Sequence, residues 1–257
     1  MLTTDRIRWL SDERLTIGDI EFNVVPVGRS PSTPGRFVLL KNRDIVDAYV
    51  DFAACFDARN VVELGIFEGG STALLELLLR PEKMVAFELA TERVAALDEF
   101  LRRQGAAERV FPYYGVNQAD SNTIVPIVRK HFGSAQLDLV IDDASHDLEF
   151  TRQSFNLLFP LLREGGVYVI EDWGWGHFQF ARERRGPSLA KLVLQLALSL
   201  PYSQNLINDL SLDRYWAIVR RGSAGIDANG FDLSDHISSR GRQLLATTDE
   251  DPRFRRV

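Results

Sequence analysis

The chain has 257 residues, 45% of them hydrophobic and 26% charged, with a formal net charge of −6 and a pI near 5.3. That is enough chain for one large α/β domain with a full core, and the acidic balance argues against nucleic acid or an anionic membrane as the main partner. A single cysteine, Cys55, rules out an internal disulfide and fits a reducing compartment.

Residues 1–20 carry Asp5, Arg6, Arg8, Asp12, Glu13 and Arg14, with no apolar core of signal-peptide length. No stretch approaches the ~20 apolar residues of a membrane span, so a cytoplasmic protein is expected. Residues 1–40 read as an N-terminal extension. Its segment 15–22 alternates around Gly18-Asp19, which predicts a hairpin. Residues 30–35 form a loop by composition. Ile45, Ala48, Tyr49, Phe52 and Phe56 keep helical spacing over 41–56. Cys55, beside Phe56, reads as a small buried apolar residue.

A strand is expected at 60–65, a helix opened by Gly69-Gly70-Ser71-Thr72 through residue 79, a strand at 85–88 and a helix over 91–104. A strand at 110–114 holds Pro112, which favours an edge position. A helix with an early proline covers 124–132. The apolar run 137–141 is a strand. A helix spans 150–162 with Gly165-Gly166 as its stop, and 166–170 is a fifth strand. Five strand–helix alternations predict an α/β, doubly wound, mostly parallel sheet. Beyond it, a helix over 188–200 has its polar residues Lys191, Gln195 and Ser199 in one narrow stripe, so most of its circumference seeks burial. Such a helix is either core or a subunit interface, and a homo-oligomer would follow from the second. Residues 204–210 and 214–219 suggest a terminal hairpin. The main domain is then 41–221, and 222–257 is a polar tail. His131 and His236 have no supporting context and read as surface residues. Arg182, Arg184 and Arg185 read as a solvated loop.

Two strands end in carboxylate pairs: 137–141 in Asp142-Asp143, with His146 three residues on, and 166–170 in Glu171-Asp172. Ligands of open α/β sheets bind beyond the carboxyl ends of strands, and neighbouring strands lie ~4.8 Å apart. Carboxylates at two such ends can therefore share a cation, and all-oxygen donors suit Mg²⁺, Mn²⁺ or Ca²⁺. Adjacent residues on a regular strand face opposite ways, so Glu171 and Asp172 can share an ion only if the strand is ending there. The following Trp173-Gly174-Trp175-Gly176-His177 cannot be a regular strand. Trp173, Trp175 and Phe178 suit a lid that also touches substrate, and His177 is either a second acid/base or part of that lid. The loop Glu63-Leu64-Gly65-Ile66-Phe67-Glu68-Gly69-Gly70-Ser71-Thr72 follows a strand and opens a helix, so an anionic group can approach its backbone. It lacks the G-x-G of the dinucleotide fingerprint, which disfavours a nicotinamide dehydrogenase. Glu88, at the end of the second strand, is placed to bind ribose hydroxyls.

On Glu63-Leu64-Gly65 with Gly69-Gly70-Ser71, Asp142-Asp143-Ala144-Ser145-His146 and Gly165-Gly166 through Glu171-Asp172, the chain resembles class I S-adenosylmethionine-dependent methyltransferases. More narrowly it resembles the metal-dependent macrolide-sugar and rhamnosyl O-methyltransferases and the cephalosporin-hydroxylase-type proteins. The resemblance covers about residues 60–172. It implies a Rossmann-like, seven-stranded sheet with a C-terminal antiparallel hairpin. It implies that Glu63, Gly65, Gly69 and Ser71 hold the methionine end of S-adenosylmethionine, Glu88 the ribose and Gln118 the adenine, with Asp142 near the sulfonium. Asp143, Glu171 and Asp172 would ligate Mg²⁺ or another hard divalent cation, and His146, beside the catalytic Asp143, would be the general base. The expected reaction is methyl transfer to a hydroxyl of a sugar or other natural product. The alternative is an S-adenosylmethionine-binding partner of another tailoring enzyme. The sequence departs from the group at Ala144, where glycine is usual, and at Val116-Asn117, where Gly-Asp is usual.

Overall fold

The computed structural model describes residues 7–24, 31–177 and 188–247. The chain divides into two compact units, 1–138 and 139–257. Phe178 and the Arg182–Arg185 loop lie outside the described residues.

In the first unit the expected hairpin is part of a four-stranded sheet of β1 (Ile7–Ser11), β2 (Arg14–Ile17), β3 (Ile20–Val24) and β4 (Arg36–Leu39), in that order. Gly18 turns with φ 62°. Leu15 and Ile17 face inward with Ile20, Phe22 and Val24, the period-two pattern of a half-buried sheet. β4 runs parallel to β3. Helix α1 (Arg43–Cys55) starts at Asn42, whose side chain accepts the Ile45 N–H. Its buried face carries Ile45, Val46 and Tyr49. Cys55 is exposed, contrary to expectation, because it sits roughly 120° round the helix from that face.

Then β5 (Asn60–Leu64), α2 (Gly70–Leu79), β6 (Lys83–Glu88), α3 (Ala95–Arg103), β7 (Val110–Tyr114) and α4 (Ser121–Phe132) alternate as expected. β5 pairs parallel with β6, and β6 with β7. Asp120 caps α4 by accepting the Asn122 N–H at 3.0 Å, so the helix begins three residues earlier than its apolar spacing suggests. Asp138, polar inside an apolar run, accepts the N–H groups of Arg59 (2.9 Å) and Asn60 (2.8 Å), tying down the start of β5. His131 is not a bare surface residue: its Nε2 lies 2.7 Å from the Tyr113 hydroxyl and its ring 4.0 Å from that of Phe111.

β8 (Leu137–Asp142) leads into the second unit, with α5 (Leu148–Leu158), a 3-10 turn at Phe159–Leu161, β9 (Leu162–Glu171), a 3-10 turn at Trp175–His177, α6 (Ala190–Ser199), β10 (Ile207–Leu212), β11 (Trp216–Arg221), a 3-10 turn at Leu233–His236 and α7 (Ser239–Thr247). The seven-stranded sheet is mostly parallel, ordered β10-β11-β9-β8-β5-β6-β7, with an antiparallel C-terminal hairpin of β10 and β11. β7, with its proline, is an edge. The stop after α5 is not Gly165-Gly166: the chain leaves the helix around Pro160, which cannot donate to the helical ladder, and β9 runs through both glycines.

Within the stretch 222–257 expected as a polar tail, the described residues include the Leu233–His236 turn and α7. Phe231, Leu233, Ile237 and Leu245 are buried, and α6 packs against α5, β10, α7 and the Leu233–His236 turn. Leu192, Val193 and Leu196 of α6 are buried within the chain, while Leu194 and Leu198 are half-buried and Ala197 is exposed. Even its polar stripe turns inward: Gln195 and Ser199 are buried, and Ser199 Oγ donates to the Leu196 carbonyl at 2.8 Å. His236 stacks on Phe231, and its Nδ1 lies 3.1 Å from Ser203 Oγ.

Candidate active site

The glycine loop of the first unit joins β5 to α2. Its backbone takes the left-handed conformation three times, at Gly65 (φ 97°), Phe67 (48°) and Gly69 (82°). A non-glycine residue there costs of the order of 1 kcal/mol. Glu88 offsets that cost: its Oε2 accepts the N–H groups of Ile66 (3.0 Å) and Phe67 (2.7 Å), and its Oε1 that of Ala90 (2.9 Å). The carboxylate expected to meet a ribose is therefore also the brace of the loop. Glu63 is buried, and its Oε2 accepts from Thr72 Oγ at 2.6 Å, joining the end of β5 to the first turn of α2. Ser71 is half-buried in that same turn, and Gln118 is buried just past β7. All these groups belong to the first unit and lie at strand ends and the loops that follow them.

In the second unit β8 ends at Asp142 and β9 at Glu171. Asp142 is buried, and its Oδ2 accepts from Ser154 Oγ (2.6 Å) and Tyr168 Oη (2.9 Å). The Tyr168 phenol is itself fully buried. Burial, and then the Asp142 charge, push its pKa well above the usual phenol value. This trio fixes the end of β8.

The next residue, Asp143, opens the loop to α5. There Asp147 is the helix cap, accepting the N–H groups of Glu149 and Phe150. His146, just before the cap, takes φ 52°. Its Nε2 lies 3.7 Å from Asp143 Oδ1, and its ring lies parallel to that of Trp175 with centroids 6.3 Å apart. Asp172 also leaves extended geometry, with φ 54°, while its N–H donates to the Tyr215 carbonyl at 2.7 Å. The strand thus ends between Glu171 and Asp172.

Asp143, His146 and Asp172 each present one ligand atom, and the three atoms lie within 4.8 Å of one another. Glu171 is not in that group: it is buried at the end of β9, opposite Trp216 of β11. Two carboxylates and an imidazole that converge while half-buried can hold a divalent cation, and the oxygens suit a hard one. His177 is exposed, its Nε2 2.8 Å from Ser188 Oγ. Trp173 Nε1 donates to the Asp213 carbonyl. Sequence reasoning singled out neither Thr72, Ser154 and Tyr168 nor the stacking of Trp175 on His146. The available signal was Tyr168 inside an apolar strand, since a buried phenol needs a partner.

Residues 62–173 match the model of a methyltransferase domain family. The chain is 34% identical over 117 residues to the L-olivosyl-oleandolide 3-O-methyltransferase of Streptomyces antibioticus, covering 43% of this chain and 29% of that protein. It is 40% identical over 82 residues to the mycinamicin VI 2''-O-methyltransferase of Micromonospora griseorubida, covering 30% of this chain and 20% of that one. Among solved structures it resembles the MycE methyltransferase of the mycinamycin biosynthetic pathway, in complex with Mg and SAH. The TM-score there is 0.51 and the identity 25%, over 72% of this chain and 51% of that one. The chain thus spans under a third of the length of these curated relatives. The matched residues 62–173 contain both the glycine loop and the Asp143–His146–Asp172 group.

Proposed function

We propose that the protein is a divalent-cation-dependent O-methyltransferase that uses S-adenosylmethionine and acts on a hydroxyl of a sugar or other natural product. The observation that carries this reading is the convergence of Asp143, His146 and Asp172 at two strand ends of a methyltransferase domain. Relatives named as methyltransferases of macrolide sugars, and a similar structure holding Mg and SAH, support it.

In this reading Glu63, Gly65, Gly69 and Ser71 bind the methionine end of the cofactor, Glu88 the ribose and Gln118 the adenine. Asp142 orders the end of β8. Asp143 and Asp172 hold Mg²⁺ or a similar hard cation, with buried Glu171 the remaining carboxylate beside them. An unassisted aliphatic hydroxyl has an acidity near that of water, pKa ~15.7. When bound, the cation would lower that pKa and the sulfonium would supply an electrophilic methyl group. His146 then accepts the hydroxyl proton, held in place by the Trp175 ring and the Asp143 carboxylate. The half-buried Trp173 and Trp175 are where a sugar face would pack. No helix of the described residues is long and apolar enough to cross a membrane, consistent with a cytoplasmic enzyme.

The test is methyl transfer from radiolabelled S-adenosylmethionine to a panel of glycosylated acceptors, with Mg²⁺ and with EDTA. His146→Ala should lower turnover by ~10²–10⁴-fold while cofactor affinity stays unchanged. Unchanged turnover would remove His146 from the mechanism, and transfer that survives EDTA would remove the cation.

A further inference from the structure

The glycine loop is braced on one side by Glu88. On the other side it meets residues 32–39, which the sequence places in an extension. The Ser32 N–H donates to Glu68 Oε2 at 3.0 Å, and Ser32 Oγ accepts the Val38 N–H at 3.0 Å. Ser32 therefore links the loop to β4 through both its backbone and its side chain. β4 also lies against the N-terminus of α2 with no room to spare: a Cβ on Gly70 would stand 2.1 Å from the Val38 carbonyl oxygen and 3.2 Å from Leu39 Cα. A Cβ on Gly69 would stand 3.1 Å from Leu97 Cβ and 3.5 Å from the Phe37 ring. Phe37 is fully buried, packed edge-on against Phe100 of α3 at 5.2 Å and against Phe22 of β3 at 6.1 Å. The strap is thus anchored in the core at Phe37 and reaches the loop at Ser32 and Val38.

We propose that residues 32–39 are a positioning strap for the glycine loop and that Glu68 is its latch. Two features of the loop require such an element. Phe67 holds a left-handed backbone that a free chain leaves readily, and its side chain is 54% exposed, so packing of that ring does not fix it. Glu88 fastens the loop at Ile66 and Phe67 and the Gly69 N–H donates to the Ile66 carbonyl at 2.8 Å, while the Glu68 carboxylate is held from the other side by Ser32. With the Glu68–Ser32 link in place, the loop's N–H groups and the α2 N-terminus keep one arrangement. Without it, the loop samples others, and ligand affinity falls by the fraction of time spent in them. The contacts of residues 32–39 with the loop lie within the first unit, and their consequence for the cofactor rests on the proposed function.

Two measurements on the full chain test it. The first is amide hydrogen exchange of residues 66–73 in the wild type, Glu68→Ala and Glu68→Gln. The second is the affinity of each for S-adenosylhomocysteine by calorimetry. Glu68→Ala should exchange at least tenfold faster across 66–73, with residues 95–103 and the thermal midpoint unchanged, and bind about tenfold more weakly. Glu68→Gln keeps an oxygen that accepts the Ser32 N–H and should restore both properties to within about twofold. Unchanged exchange at 66–73 in Glu68→Ala, or a loss that glutamine does not rescue, would overturn the latch. If the wild type binds no S-adenosylhomocysteine, the cofactor reading fails, and the exchange data still decide the strap.

Discussion

Replacing Tyr168 with phenylalanine removes one oxygen from a fully buried site and leaves the ring, so no cavity term of consequence arises. What is lost is the donor to Asp142 Oδ2 at 2.9 Å, together with a contact to Ser154 Oγ at 3.3 Å. Asp142 keeps its bond from Ser154 at 2.6 Å. A single hydrogen bond contributes ~1 kcal/mol, and one to a carboxylate ~1.5–3 kcal/mol. With the Ser154 donor retained, a destabilisation of ~1.5 kcal/mol is expected. At this chain size that lowers the thermal midpoint by ~3–6 °C. Ser154→Ala should cost a similar amount. Because both hydroxyls share one acceptor oxygen and touch each other, the double variant should depart from additivity by at least ~0.5 kcal/mol. Chemical unfolding of the four proteins measures the cycle. A Tyr168→Phe protein within ~0.3 kcal/mol of the wild type, or strict additivity, would show that the trio does not fix the end of β8.

In an alkaline absorbance titration, Tyr168 should remain a phenol while exposed tyrosines ionise, and should titrate only as the protein unfolds. A full tyrosine signal from folded protein near pH 10 would contradict its environment. Burial, with Lys130 and Lys83 nearby, holds the His131 imidazole below its ordinary value, so the folded state binds fewer protons there than the unfolded chain. The stability this contributes is complete above about pH 6.5 and is lost as pH falls through the lower folded value. His131→Gln should flatten that part of the stability–pH curve, and an unaltered slope would refute the assignment. Gly70→Ala drives a Cβ into the Val38 carbonyl and should cost ~3 kcal/mol, roughly 6–12 °C in the midpoint. A midpoint within 2 °C of the wild type would mean that β4 yields easily.

Strand ends were the most legible part of the sequence. Apolar runs closing in Asp142-Asp143 and Glu171-Asp172 marked the edge where ligands bind, and the irregular Trp173–His177 segment implied that β9 stops there. The structure ends β9 between Glu171 and Asp172 by a left-handed Asp172. Asp143 and Asp172, both expected as ligands, converge with His146; that Glu171 stays outside this group was not legible, because it turns on the left-handed backbone of Asp172. The dual position of Glu88 was half visible: its strand end was apparent, its three backbone N–H partners were not, since they come from loop geometry. Residues 231–247 were unreadable as structure because their few apolar residues, among them Phe231, Leu233, Ile237 and Leu245, are spaced by charges. Their meaning comes from α6, which they cover. The same contacts explain why Gln195 and Ser199, a polar stripe by spacing, turn inward.

The proposed mechanism depends on a cation held by side chains at the ends of β8 and β9. Titration of the protein with Mn²⁺, with the free ion followed by electron paramagnetic resonance, tests it most directly. One saturable site is expected in the wild type, with at least tenfold weaker binding in both Asp143→Asn and Asp172→Asn. Wild-type affinity in both variants would contradict it.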